Sequence, residues 1–159
     1  MSCLFNSLHF FIPSMTPQQI RDRICEYLAQ NEPVIEGIDT SVLLSLDGPA
    51  DKYISRMRHP STWGGAIEIQ AACNIWRTAI IVQNRRGSEK SDIEFVPVKG
   101  AAQSSVAVQW TGGHYEPIVE ITNSGSPLFP DVEPNLHVPE KDPTSGLVEL
   151  VGDDFHATL

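Results

Sequence analysis

The sequence predicts an α+β fold in which a helical N-terminal half is followed by a small, mainly antiparallel β-sheet. Three observations carry this expectation. A helix-starting box stands at Thr16-Pro17-Gln18-Gln19, and apolar residues recur every three to four positions as far as Trp76. From Ala79 onward the period changes to the alternation of strands. With 159 residues, 41% of them apolar, the chain has enough material for one domain core without a disulfide framework.

Each element has its own signal. Leu4, Phe5, Leu8, Phe11 and Ile12 share one helical stripe, which predicts an N-terminal helix with Cys3 in its first turn. The box at Thr16, with Pro17 at the first helical position, starts a second helix whose inward residues are Ile20, Ile24, Tyr27 and Leu28. That helix should end near Asn31, before Pro33. A third is expected over 50–58, with Tyr53, Ile54 and Met57 inward and Pro60 as its stop. A fourth follows Gly64-Gly65, with Ala66, Ile69, Ala72, Cys73 and Trp76 on one side. Strands are expected over 79–83, 93–98 and 106–110. Thr111-Gly112-Gly113 supplies the glycines of a tight hairpin, and the chain resumes as a strand over 114–121 with His114 at its mouth.

Composition shifts at residue 122. From Thr122 to Leu159 there are five prolines and seven acids against one base, Lys141, so this segment carries most of the net charge of −9. The reading is a compact domain over 1–121 and an acidic, Pro-rich tail over 122–159 expected to be disordered. An acidic chain whose only adjacent bases are Arg85-Arg86 lacks the basic patch that nucleic acid requires. Every apolar stretch is far shorter than the roughly 18–20 residues of a membrane span, so no membrane association is expected. The apolar opening, 1–12, has neither the basic start nor the small-residue cleavage site of a secretory leader. Three widely spaced cysteines suit a reducing compartment, and a cytoplasmic protein is expected.

Cys3 and His114 are the candidates for chemistry. A thiol in the first turn of a helix meets unpaired amide N–H groups and the positive end of the helix dipole, both of which favour an anion. Cys25 and Cys73 lie within helices on apolar faces and read as small core residues. A nucleophilic cysteine needs a base brought from elsewhere in the chain. His9 is six residues along the same helix, about 9 Å away on another face. His137 and His156 fall in the expected tail, and His59 has no acid at short spacing. His114 remains, with Glu116 two residues on, on the same face of a strand and able to orient the imidazole. Read alone, Cys3 reads as a structural residue before it reads as a nucleophile, and His114 serves equally as a surface hairpin histidine. There is no Gly-x-Ser-x-Gly elbow, no Gly-rich phosphate loop and no His-Glu-x-x-His, and Asp47-Gly48 reads as a turn.

Taken in order, Ser2-Cys3-Leu4-Phe5-Asn6-Ser7-Leu8, Tyr53 to Met57, Trp63-Gly64-Gly65 with Ile67-Glu68, Ile80-Ile81-Val82 and His114-Tyr115-Glu116 resemble the OTU (ovarian-tumour) cysteine proteases, with 57–68 most like viral and divergent members. The resemblance spans 2–121. It implies a papain-like α+β fold and a thiol-dependent deubiquitinase that cleaves after the C-terminal glycine of ubiquitin or a ubiquitin-like modifier. Cys3 matches the nucleophile, His114 the base and Glu116 the orienting acid, while Trp63 and Tyr115 match residues that support the site. Ubiquitin or polyubiquitin is the implied partner of a monomer with no cofactor and no metal, in the cytoplasm, or the host cytoplasm for a viral protein. The family's motif places Asp-Gly-Asn or similar before the cysteine, in a loop whose amides form the oxyanion hole. Here only Met1 and Ser2 precede Cys3. Losing a single oxyanion donor costs about 10²–10³ in rate. The alternatives are therefore a catalytically impaired ubiquitin-binding module and an unrelated α+β domain.

Overall fold

The structure, a computed structural model, describes residues 2–88 and 90–119. The helical half contains α1 (Cys3–Phe11), α2 (Pro17–Ala29), α3 (Thr40–Leu44), a 3₁₀ turn (Ser45–Asp47), α4 (Ala50–Met57) and α5 (Ala66–Trp76). It is followed by β1 (Thr78–Asn84), β2 (Ser91–Phe95), β3 (Ser104–Trp110) and β4 (Tyr115–Ile118). The strands form one sheet in the order β2-β1-β3-β4. Its β1–β2 and β3–β4 pairs are antiparallel, and the central β1–β3 pair is parallel. The α+β architecture expected from the sequence is therefore present, with a sheet that is mixed at its centre. The expected tail, 122–159, lies outside the described residues, as do the last two residues of the strand expected over 114–121.

Helix α2 starts as the box at Thr16 demands. The Gln19 amide donates to Thr16 Oγ1 at 3.1 Å, and the Thr16 amide donates to Gln19 Oε1 at 2.8 Å. At the other end of the helical half, Arg77 takes a left-handed conformation, φ 52°, that closes α5 and feeds β1 directly.

Three expectations need correction. Strand β2 covers Ser91–Phe95 rather than 93–98. Beyond Phe95 the side chains of α5 take over the backbone groups: Gln70 Nε2 donates to the Val96 carbonyl at 2.6 Å, and the Val98 amide donates to Asn74 Oδ1 at 3.0 Å. Helix α5 is buried over 68–73, not on one stripe, and Ala66 is exposed, because the helix lies between α2 and strands β1 and β2. Helix α3 was not expected. It is one short turn, capped where the Ser41 amide donates to Asp39 Oδ1 at 2.9 Å.

The core joins α1, α2 and α5 to one face of the sheet through Phe5, Leu8, Ile20, Ile24, Val106 and Val108. Helix α1 packs against both α2 and β4. That packing carries the first turn of α1 to the edge of the sheet.

Candidate functional site

Cys3 is the first residue of α1 and is partly exposed, whereas Cys25 and Cys73 are buried. Burial pushes the Cys25 thiol up to about 11 and raises that of Cys73 as well. The first intrahelical bond of α1 runs from the Asn6 amide to the Ser2 carbonyl at 2.7 Å. The amides of Cys3, Leu4 and Phe5 therefore have no acceptor within the helix, as in any first turn.

The loop over 60–65 lies directly on this turn. Ser2 Oγ donates to the Pro60 carbonyl at 2.9 Å. A β-carbon on Gly64 would stand 2.8 Å from Leu4 Cδ2 and 3.0 Å from Phe5 Cε2, so only a residue without a side chain lets the loop approach so closely. The far end of the loop is fixed by Glu68, which is 1% exposed. The Gly65 amide donates to its Oε2 at 2.8 Å and the Tyr53 hydroxyl to its Oε1 at 2.7 Å. Desolvation is the main cause that raises the Glu68 carboxyl above its ordinary value. Trp63, expected to support the site, is 49% exposed on this loop.

On the sheet side, the Tyr115 ring lies against Trp110 with centroids 4.6 Å apart. Burial, and then the negative charge of Cys3 and of Glu68, pushes the Tyr115 hydroxyl up to about 12. Tyr115 is thus within electrostatic reach of both Cys3 on α1 and Glu68 on α5. His114 is exposed and sits immediately before β4 rather than in it, its carbonyl accepting from the Thr111 amide at 3.1 Å. Gly112, at φ 101°, makes the tip of this hairpin. Glu116 is exposed and pairs with Gln109 across the ladder.

The fold brings the first turn of α1, the loop over 60–65 and the start of β4 together. Among the described residues no hydrogen bond joins His114 to Cys3 or to Glu116. The histidines set aside from the sequence have other partners: His9 Nδ1 bonds the Met15 carbonyl at 2.6 Å, and His59 Nδ1 bonds Ser61 Oγ at 2.8 Å. Among the described residues no group of three or more His, Cys, Asp and Glu side chains is placed to hold a metal, and no helix is long and apolar enough to cross a membrane.

Sequence reasoning missed Arg21. It is 0% exposed, with its guanidinium carbon 4.1 Å from the centroid of the Phe5 ring and its nitrogens on the segments that flank Cys3. The available signal was positional, since Arg21 stands at the same helical face as Ile24, Cys25 and Leu28.

The family model described as OTU-like cysteine protease matches residues 2–115. Among solved structures, an ovarian-tumour (OTU) domain in complex with ubiquitin has a TM-score of 0.60 at 20% identity, covering 97% of this chain and 84% of that one. The viral OTU domain protease from Dera Ghazi Khan virus has a TM-score of 0.57 at 21% identity, covering 73% and 72%. An OTU deubiquitinase from Wolbachia pipientis wMel, solved bound to ubiquitin, has a TM-score of 0.52 at 19% identity, covering 73% and 88%. At such identities the likeness is one of fold. No curated protein sequence matches the chain.

Proposed function

The chain belongs to the OTU-like cysteine protease family, and from that membership we propose that it is a deubiquitinase, hydrolysing peptide or isopeptide bonds after the C-terminal glycine of ubiquitin or a ubiquitin-like modifier. The observation that carries the reading is the packing of α1, which begins at Cys3, against β4, which begins one residue after His114. A partly exposed thiol at a helix start and a histidine at the adjoining hairpin are the two groups that thiol acyl transfer needs.

His114 takes the proton of the Cys3 thiol, and the sulfur attacks the carbonyl carbon of the last glycine. The protonated imidazole then gives its proton to the departing amine, and a water activated by the same ring hydrolyses the thioester. Glu116 orients the ring. The free amides of the first turn of α1 are donors for the oxyanion that forms at each attack. Trp63, on the loop, and Tyr115, on the strand, support the site.

Release of fluorophore from a ubiquitin C-terminal amide tests this. Cys3→Ala is expected to abolish turnover and His114→Ala to reduce it by about 10²–10⁴. Glu116→Gln should reduce it less, because it alters orientation rather than proton transfer. Unchanged hydrolysis in Cys3→Ala would overturn the reading.

A second reading, ubiquitin binding without turnover, draws on the absence of a hydrogen bond from His114 to Cys3 or Glu116 among the described residues. Catalytic hydrogen bonds are commonly long without substrate and tighten in the complex, which favours the enzyme. The binding module would show saturable calorimetric titration with ubiquitin and no fluorophore release.

A further inference from the structure

We propose that Arg21 is a positioning residue for Cys3: its guanidinium, acting through Ser2, fixes the first turn of α1 against the loop over 60–65 so that the thiol meets the substrate carbonyl at a set angle. This rests on the deubiquitinase reading and adds a residue to it.

The geometry is that of a buried fork. Nη1 donates to the Met57 carbonyl at the end of α4 at 2.8 Å. Nη2 donates to the Pro60 carbonyl at 3.1 Å and to Ser2 Oγ at 3.2 Å. The Ser2 hydroxyl in turn donates to the same Pro60 carbonyl at 2.9 Å. One planar group on α2 therefore joins the end of α4, the loop and the residue before Cys3. Ser2 is also the residue whose carbonyl accepts the first helical bond of α1, so shifting it shifts the start of the helix.

Energetics argue for direction rather than cohesion. A buried guanidinium loses its hydration, and replacing buried charged groups with packed apolar ones is often neutral or stabilising. What an apolar residue would not supply is a set of fixed hydrogen-bond directions. Lysine would not supply them either, since an ammonium on a flexible stem lacks the rigid fork. A displacement of about 1 Å in a reacting group costs about 10²-fold in rate.

The test compares the full chain with Ser2→Ala, Ser2→Thr and Arg21→Lys. Three readings are taken: the rate at which ubiquitin with a C-terminal thiol-reactive electrophile forms an adduct with Cys3, the rate of Cys3 alkylation by iodoacetamide, and the thermal midpoint. Ser2→Ala is expected to slow ubiquitin labelling about tenfold, within the range a small misplacement allows, and Arg21→Lys to slow it further. Ser2→Thr keeps the hydroxyl and should label at the parent rate. Iodoacetamide, a small probe with no fixed approach, should alkylate all of them within about twofold of the parent, because thiol access is unchanged. Ubiquitin labelling of Ser2→Ala at the parent rate would overturn the proposal, as would an equal fall in both rates, which marks lost structure. Should Arg21→Lys fail to fold, Ser2→Ala against Ser2→Thr decides. A folded parent that iodoacetamide alkylates and ubiquitin does not label removes the deubiquitinase reading and this role with it; a labelled parent with unimpaired Ser2→Ala removes the role alone.

Discussion

Glu68 shows how a single buried group ties the site together. Its carboxyl holds Gly65 at one oxygen and Tyr53 at the other, and burial raises its titration above the ordinary carboxylate range. A carboxyl raised on folding favours the folded state most while protonated, below its unfolded value, and that contribution is lost as pH rises through the folded one. Stability from this residue should thus fall as pH rises above the ordinary glutamate value. Glu68→Gln, which cannot ionise, is expected to flatten the dependence of the thermal midpoint on pH above that value; a profile parallel to the parent's would contradict the assignment. Tyr115, pushed up to about 12, acts at the alkaline end: its contribution is lost as pH rises from its unfolded value through about 12. At this scale the sequence was partly legible. Cys3 and His114 stood out because cysteine and histidine are rare residue types and each stands at a recognisable place, a helix start and a hairpin. Arg21 did not, because arginine normally lies at the surface and only the fold shows oxygens of Met57, Ser2 and Pro60 converging on one buried position.

At the scale of elements, periodicity and capping chemistry were readable wherever they are local. The reciprocal bonds of Thr16 and Gln19 form as the box predicts, and Thr16→Ala should cost about 1 kcal/mol in denaturant unfolding. An unchanged midpoint would mean that the cap does not limit α2. Helix α3 escaped notice because a five-residue turn is too short to show a period. The end of β2 was misplaced for a different reason: Val96 and Val98 continue the strand pattern, but Gln70 and Asn74 of α5 capture their backbone groups. Contacts distant in sequence override a local preference there. The close approach of the 60–65 loop to α1 is equally non-local. Gly64→Ala is expected to push Leu4 and Phe5 aside and, by displacing the adjacent turn, to slow Cys3 labelling by ubiquitin electrophile at least as much as Ser2→Ala does. Parent-rate labelling of a folded Gly64→Ala chain would contradict it.

For the whole molecule, the core cluster runs from Leu4 to Val108, and the proposed site lies where α1 meets β4 at one edge of the sheet. The acidic, Pro-rich composition of 122–159 predicts that a chain ending at 121 unfolds cooperatively with a thermal midpoint close to the parent's. Loss of cooperative unfolding would assign the segment a structural role. The central claim is that this fold carries a competent thiol directed at ubiquitin, and intact mass after incubation with ubiquitin bearing a C-terminal thiol-reactive electrophile tests it most directly. Of the three cysteines only Cys3 is accessible, so the account predicts a single adduct on the parent chain and none on Cys3→Ala. A folded parent that forms no adduct, or an adduct that persists in Cys3→Ala, would contradict it.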